Sequence, residues 1–128
     1  MNFFHNSTPV TEGEILEAES HFGVKMPDSL RNLVFAHNGA TWVNESGMVD
    51  SLISMSRRDA FNAFTLSGLP YGYLPFADDG REGVFAVSGH EGEGIVHFAD
   101  LANAPSKKGI AASFEVFLEM LDGRREST

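Results

Sequence analysis

Apolar positions near the start of the chain recur with helical spacing. Ile15, Ala18 and Phe22 fall on one face of a helix expected over residues 11–23. Thr11 and Glu14 stand at the separation of a capping box, in which each side chain satisfies a backbone N–H left free at the helix start. Gly23 suits the left-handed residue that closes such a helix, while Gly13 in the first turn weakens it slightly. Val24 to Pro27 reads as an extended link, because Pro27 biases Met26 away from helical angles. A second helix follows with Asp28 as its cap, and Leu30, Leu33, Val34 and His37 share its inner face. Asn38-Gly39 ends it, both residues being tolerant of positive φ.

The period then changes. Trp42-Val43 reads as strand, Asn44 to Gly47 as a turn, and Val49 to Met55 as a further strand. Ser56 caps an expected helix carrying Ala60, Phe61 and Phe64, closed by Ser67 to Pro70. Three short apolar runs follow, Tyr73 to Ala77, Gly83 to Ser88 and Ile95 to Asp100. Turns at Asp78-Asp79-Gly80 and Gly89 to Gly94 separate them. Alternation predicts Leu74 and Phe76, Phe85 and Val87, and Val96 and Phe98 on one face of an antiparallel meander. A loop with Pro105 and Lys107-Lys108 leads to a last helix capped by Ser113. There Phe114, Phe117, Leu118 and Leu121 repeat at i, i+3, i+4 and i+7, and Gly123 is the stop. Helices at both chain ends around a mainly antiparallel sheet make an α+β fold, with the helices packed on one sheet face. The 128 residues suit a single domain over 1–128, with an ordered core from about residue 8 to 122 and a frayed tail at 124–128.

Composition narrows the function classes. A hydrophobic fraction of 42%, with eleven phenylalanines, supplies a core that needs no covalent staples. Cysteine is absent, which excludes disulfides, thiolate metal sites and a cysteine nucleophile. The first ten residues lack the basic and apolar regions of a signal peptide. No run reaches the roughly 18 apolar residues that read as a membrane span, so a cytoplasmic protein is expected. The formal net charge is −9. Phosphate backbones and anionic lipid repel such a chain, which sets nucleic acid and membrane aside as partners and favours a basic protein. Acidity is also a plain route to solubility.

Candidate chemistry is sparse. His5, His21, His37, His90 and His97 form neither an HxxxH nor an HxH pair, and His21 and His37 sit where a helix C-terminus favours a cation. Asp78-Asp79-Gly80-Arg81-Glu82 is the most site-like run, since close carboxylates suit Ca²⁺, Mg²⁺ or acid/base work. It lacks the alternate-residue spacing of an EF-hand, and Asp-Gly is a strong turn signal. The loop at Gly89, Gly92 and Gly94 carries two glutamates and precedes no helix, so it reads as a hairpin tip rather than a phosphate cradle. There is no GxSxG elbow, and Ser88 and Ser113 read as turn and cap residues. Trp42, Tyr71 and Tyr73 read as core or rim before they read as a binding surface. No catalytic residue, metal site or cofactor is expected. One feature stands out: between Tyr71 and Asp100 six acids face a single arginine, a net charge of −5. These turns read either as a solvated rim or as a negative surface that steers a basic partner.

Several segments together resemble a known family. They are Glu14 to Glu19, Phe22 to Pro27, Leu30 to Gly39, Tyr73 to Gly80, and Ile110 to Leu118. Their order and spacing resemble the SUKH superfamily, which includes fungal killer-toxin-resistance and glucan-synthesis regulators and many bacterial relatives. Met26 replaces the usual Leu, Ala40 stands where a second Gly is common, and Trp42 to Asn62 matches little. The resemblance implies a helix-flanked antiparallel sheet and a non-enzymatic role. Bacterial members resemble immunity proteins that neutralise secreted toxins, and fungal members resemble scaffolds of cell-wall synthesis. Gly23, Pro27, Asn38, Gly39, Asp79 and Gly80 then serve as caps and turns. The first expectation is an immunity protein that binds a toxin, a basic toxin domain being a candidate partner. Asp78, Asp79, Glu82, Glu91 and Glu93 are its expected contacts. The alternative is a regulator or scaffold related to cell-wall (glucan) synthesis. A third is a small metal-dependent enzyme using Asp78 and Asp79.

Overall fold

The computed structural model describes residues 3–55, 69–81, 83–99 and 106–122. Within them lie strands β1 (Phe3–His5), β2 (Thr41–Val43), β3 (Ser51–Leu52), β4 (Tyr73–Asp78), β5 (Val84–Ser88), β6 (Ile95–Ala99) and β7 (Ser106–Ala111). Helices α1 (Glu12–Phe22) and α2 (Asp28–His37) fall between β1 and β2, and α3 (Phe114–Leu121) follows β7. The strands pair in chain order, each antiparallel to the next, to form a seven-stranded sheet. The expected helix from Ser56 with Ala60, Phe61 and Phe64, its close at Ser67-Gly68, and Glu82, Asp100, Pro105, Gly123 and the 124–128 tail lie outside the described residues.

The first helix forms as its spacing requires. Glu14 N–H donates to Thr11 Oγ1 (3.2 Å) and Thr11 N–H donates to Glu14 Oε1 (3.0 Å), which completes the capping box. Gly23 takes φ 74° and its N–H closes on the Glu19 carbonyl. The Glu19 carboxylate then accepts the Met26 N–H (2.6 Å) and pairs with Arg31, so the link between the helices is held by side chains. Asp28 is not the cap of α2 but its first helical residue, behind Pro27. Proline fixes its own φ and has no N–H to satisfy, so it can occupy the boundary without a side-chain cap. At the far end only Gly39 takes a positive φ (71°), while Asn38 stays at −49°. Leu30 and Val34 are buried, and His37 stacks on Phe4 at 4.0 Å between ring centres.

The meander forms, but its faces differ from simple alternation. Phe85 lies opposite His97 and Val87 opposite Ile95, whereas Val84 faces Phe98 and Ala86 faces Val96. Val96 and Phe98 therefore share a face with Val84 and Ala86, not with Phe85 and Val87. Period-2 alternation fixes faces within one strand, and the connecting turn sets the phase between strands. Both faces are buried at these strands. A register shift between Pro75 and Ala77 marks a bulge in β4, which accommodates a proline in a central strand. The strand expected over Val49 to Met55 shortens to β3, beside which Val49, Leu52, Ile53 and Met55 are all buried. Lys107-Lys108 lie not in a loop but in β7, an edge strand paired to β6.

Helix α3 seats on the sheet through its aromatic face. Ser113 Oγ accepts the Val116 N–H and caps it, and Phe114, Phe117 and Leu121 are buried. Phe76 meets the Phe114 and Phe117 rings edge-on at 5.5 Å each, and Phe85 lies 5.2 Å from Phe117. Edge-to-face rings are the arrangement that aromatic quadrupoles favour.

Asn38 is the one fully buried polar residue among those described. Its Oδ1 accepts the Met55 N–H (2.7 Å), and its Nδ2 donates to Thr8 Oγ1 (3.2 Å) and Ser54 Oγ (3.3 Å). Asn38→Ala leaves the Met55 N–H buried and unpaired. It is expected to cost roughly 2–3 kcal/mol, read as a lowered urea midpoint with an unchanged m-value.

Candidate functional site

The sheet separates the acidic residues that lie near one another in sequence. Asp78 ends β4 and Asp79 opens the β4–β5 turn, whereas Glu91 and Glu93 belong to the β5–β6 turn. In an antiparallel meander successive turns lie at opposite ends, and β5 runs between them. A strand of that size separates its ends by on the order of 15 Å. Asp78 and Asp79 are brought together, Glu91 and Glu93 are brought together, and the two pairs are held apart. One contiguous negative edge therefore does not form from these four residues. Glu82 lies outside the described residues.

At the first end, both aspartates organise the turn. Asp78 Oδ1 accepts the Gly80 N–H (2.9 Å) and its Oδ2 accepts the Ser51 hydroxyl (2.5 Å). Asp79 Oδ1 accepts the N–H groups of Arg81 (2.8 Å) and Gly83 (3.2 Å), and its Oδ2 meets His97 Nε2 at 2.8 Å. Burial pushes the Asp79 carboxyl upward. The His97 hydrogen bond, the two backbone N–H donors and the His97 charge outweigh it and hold the group below the ordinary aspartate value. Gly80 takes φ 77°, and Asp50 stands against it. Carboxylates engaged in this way serve the turn, which is the role expected of Asp-Gly rather than of a metal cluster. Among the described residues, no group of three or more His, Cys, Asp or Glu converges.

The second end is a four-residue network. Glu93 Oε1 accepts the hydroxyls of Ser88 (2.6 Å) and Tyr73 (2.8 Å), while Lys107 Nζ donates to Glu93 Oε2 (2.5 Å) and to Tyr73 (2.9 Å). Ser88 Oγ also accepts the His90 N–H. The hydrogen bonds from Lys107, then Ser88, then Tyr73 hold the Glu93 carboxyl at about 2, and Glu93 and Tyr73 raise Lys107 to about 12. Glu91 is exposed beside this network and makes no hydrogen bond or ion pair with the described residues.

A groove of about 350 Å³ opens on the Phe85–His97 face of the sheet. Phe85 and Ile110 form its floor, and Gly47 and Met48 of the β2–β3 loop form one wall. That loop is tied to the end of α3 by Ser46 N–H donating to the Leu121 carbonyl (3.2 Å). Asp79, Arg81, His97 and Lys108 supply its polar lining. Of the cations here, Arg81 falls within the most site-like run of the sequence, whereas Lys108 does not stand out. Lys108 reads as loop, and its place opposite His97 exists only through strand pairing.

The family model described as SMI1 / KNR4 family (SUKH-1) matches residues 9–120, from just before the α1 cap into α3. No curated protein matches the chain. Among the described residues, no helix is long and apolar enough to cross a membrane.

The Glu93 network has a pH signature. Its folded value lies below the ordinary value of 4.5, so its contribution to stability is complete above that pH and is lost as pH falls through about 2. In Lys107→Met, the Glu93 carboxyl resonance is expected to titrate closer to the ordinary glutamate value. The stability gap between wild type and variant should also close as pH falls from 6 toward 2. An ordinary Glu93 titration in the wild type would contradict this.

Proposed function

The chain belongs to the SMI1/KNR4 family (SUKH-1), and from that premise we propose that it is an immunity-type protein that binds and neutralises a secreted bacterial toxin. The family is one of non-catalytic protein-interaction domains, so recognition rather than turnover is the activity to explain. The match over residues 9–120 carries the reading, because it takes in the helices and the meander together.

The physical character of the surface supports it. A net charge of −9 attracts a basic toxin domain over distances near the Debye length and speeds productive encounter. Asp78, Asp79, Glu82, Glu91 and Glu93 are the proposed contacts. Asp79 and Glu93 are pinned by three or more hydrogen bonds each, so they meet a partner without losing side-chain freedom. Glu91, exposed and without a partner among the described residues, is the freest of the four to change partners. With the acids at two ends of the sheet, a partner either spans the meander or engages one turn.

Co-expression with the toxin encoded by the adjacent gene tests the proposal. Cell survival and a co-eluting complex are expected, whereas continued killing with no complex on gel filtration overturns it. In that complex Glu91→Lys is expected to slow association about ten-fold at low salt, with the difference fading as salt is raised. Stopped-flow mixing over a salt series measures this.

A further inference from the structure

We infer that the groove between the β2–β3 loop and the β5–β6–β7 face docks a segment of a protein partner carrying one carboxylate side chain beside an aliphatic one. The inference rests on reading the chain as a protein-binding module, and it does not require the partner to be a toxin.

Charge inside the groove runs against charge on the chain as a whole. Arg81 and Lys108 line it, and neither side chain makes a hydrogen bond or ion pair within the described residues. Asp79 is the one acid among the described lining residues, and its oxygens are engaged by His97, Arg81 N–H and Gly83 N–H. Among the described lining residues the two cations Arg81 and Lys108 stand against the one carboxylate of Asp79, which leaves room for a single further negative charge. A carboxylate supplies that charge and suits the planar fork of Arg81.

The rest of the lining defines the neighbouring group. Met48 and Ile110 are partly exposed over a buried Phe85, an apolar surface that an aliphatic side chain covers and an ion does not. The volume of about 350 Å³ stands at the lower end for ligand pockets, which fits two side chains rather than a large cofactor. A phosphate dianion fits less well. It overfills the charge balance, faces Asp79, and leaves Met48 and Ile110 uncovered. A metal cation is repelled by Arg81 and Lys108. In a complex with a basic partner, this local inversion of sign fixes orientation, because only one placement puts the partner's acid against the groove.

Titration of the ¹⁵N-labelled chain with N-acetyl-Leu-Glu-Leu-amide, its glutamine counterpart and inorganic phosphate tests the inference. The glutamate peptide is expected to shift the amide signals of Met48, Phe85, His97, Lys108 and Ile110, with affinity on the order of millimolar. The glutamine peptide should bind about ten-fold more weakly. Lys108→Gln should weaken the glutamate peptide several-fold, and Arg81→Glu combined with Lys108→Glu should abolish its binding, with folding checked by the unchanged amide spectrum elsewhere. Equal binding of the two peptides, tighter binding of phosphate at the same signals, or full binding by Lys108→Gln overturns it. Toxin neutralisation without peptide binding would overturn the groove alone. Peptide binding without neutralisation would overturn the toxin reading alone.

Discussion

A buried amide that must find partners organises this fold. Asn38 lies at the junction of α2, the segment entering α1 and the chain leaving β3, and it is fully shielded from water. Its side chain is paired on both its oxygen and its nitrogen, and its carbonyl accepts the Thr8 N–H (2.8 Å). A polar side chain buried this deeply is tolerated only when its hydrogen bonds are met, so three distant stretches of chain must converge on it. That convergence ties Thr8, between β1 and α1, to the C-terminal end of α2, where β1 pairs with β2 and Trp42 of β2 is buried. Apolar packing supplies most of the driving force, while Asn38 selects one arrangement.

From that junction the order passes to the groove through aromatic contacts. Phe76, Phe85, Phe114 and Phe117 lock α3 to the central strands, and α3 in turn anchors the β2–β3 loop through Leu121. The groove wall at Met48 and the turn at Asp79 are thus borne by packed elements rather than by free loops. Binding to such a surface loses little conformational entropy, which is the physical advantage of a rigid recognition module.

Much of this was legible in the residues. The Thr11/Glu14 box, the Gly23 closure, the Ser113 cap and the Phe114–Leu121 stripe are local chemistry, and local chemistry reads directly from a chain. Strand phase did not. Nothing near Val96 or Phe98 announces which face they take, because the Gly89–Gly94 turn decides it. Strand β7 was hidden for a different reason. An edge strand is safest when it is polar, and Ser106 to Gly109 has the composition of a loop. With β7 unseen, Lys107 and Lys108 had no neighbours, so neither the Glu93 network nor the groove could be inferred. The acids shared a stretch of sequence, and the geometry of the meander set them at opposite ends.

Strand β7 carries two lysines in succession, and a strand sends successive side chains to opposite faces. Lys107 accordingly reaches Tyr73 and Glu93, while Lys108 turns to the groove beside His97. The pair also governs what the open edge will accept. A second copy aligning antiparallel on β7 would bring ammonium groups from both chains into the same few ångströms, so self-templated strand addition is disfavoured. Two lysines in one strand thus close that edge to its own kind.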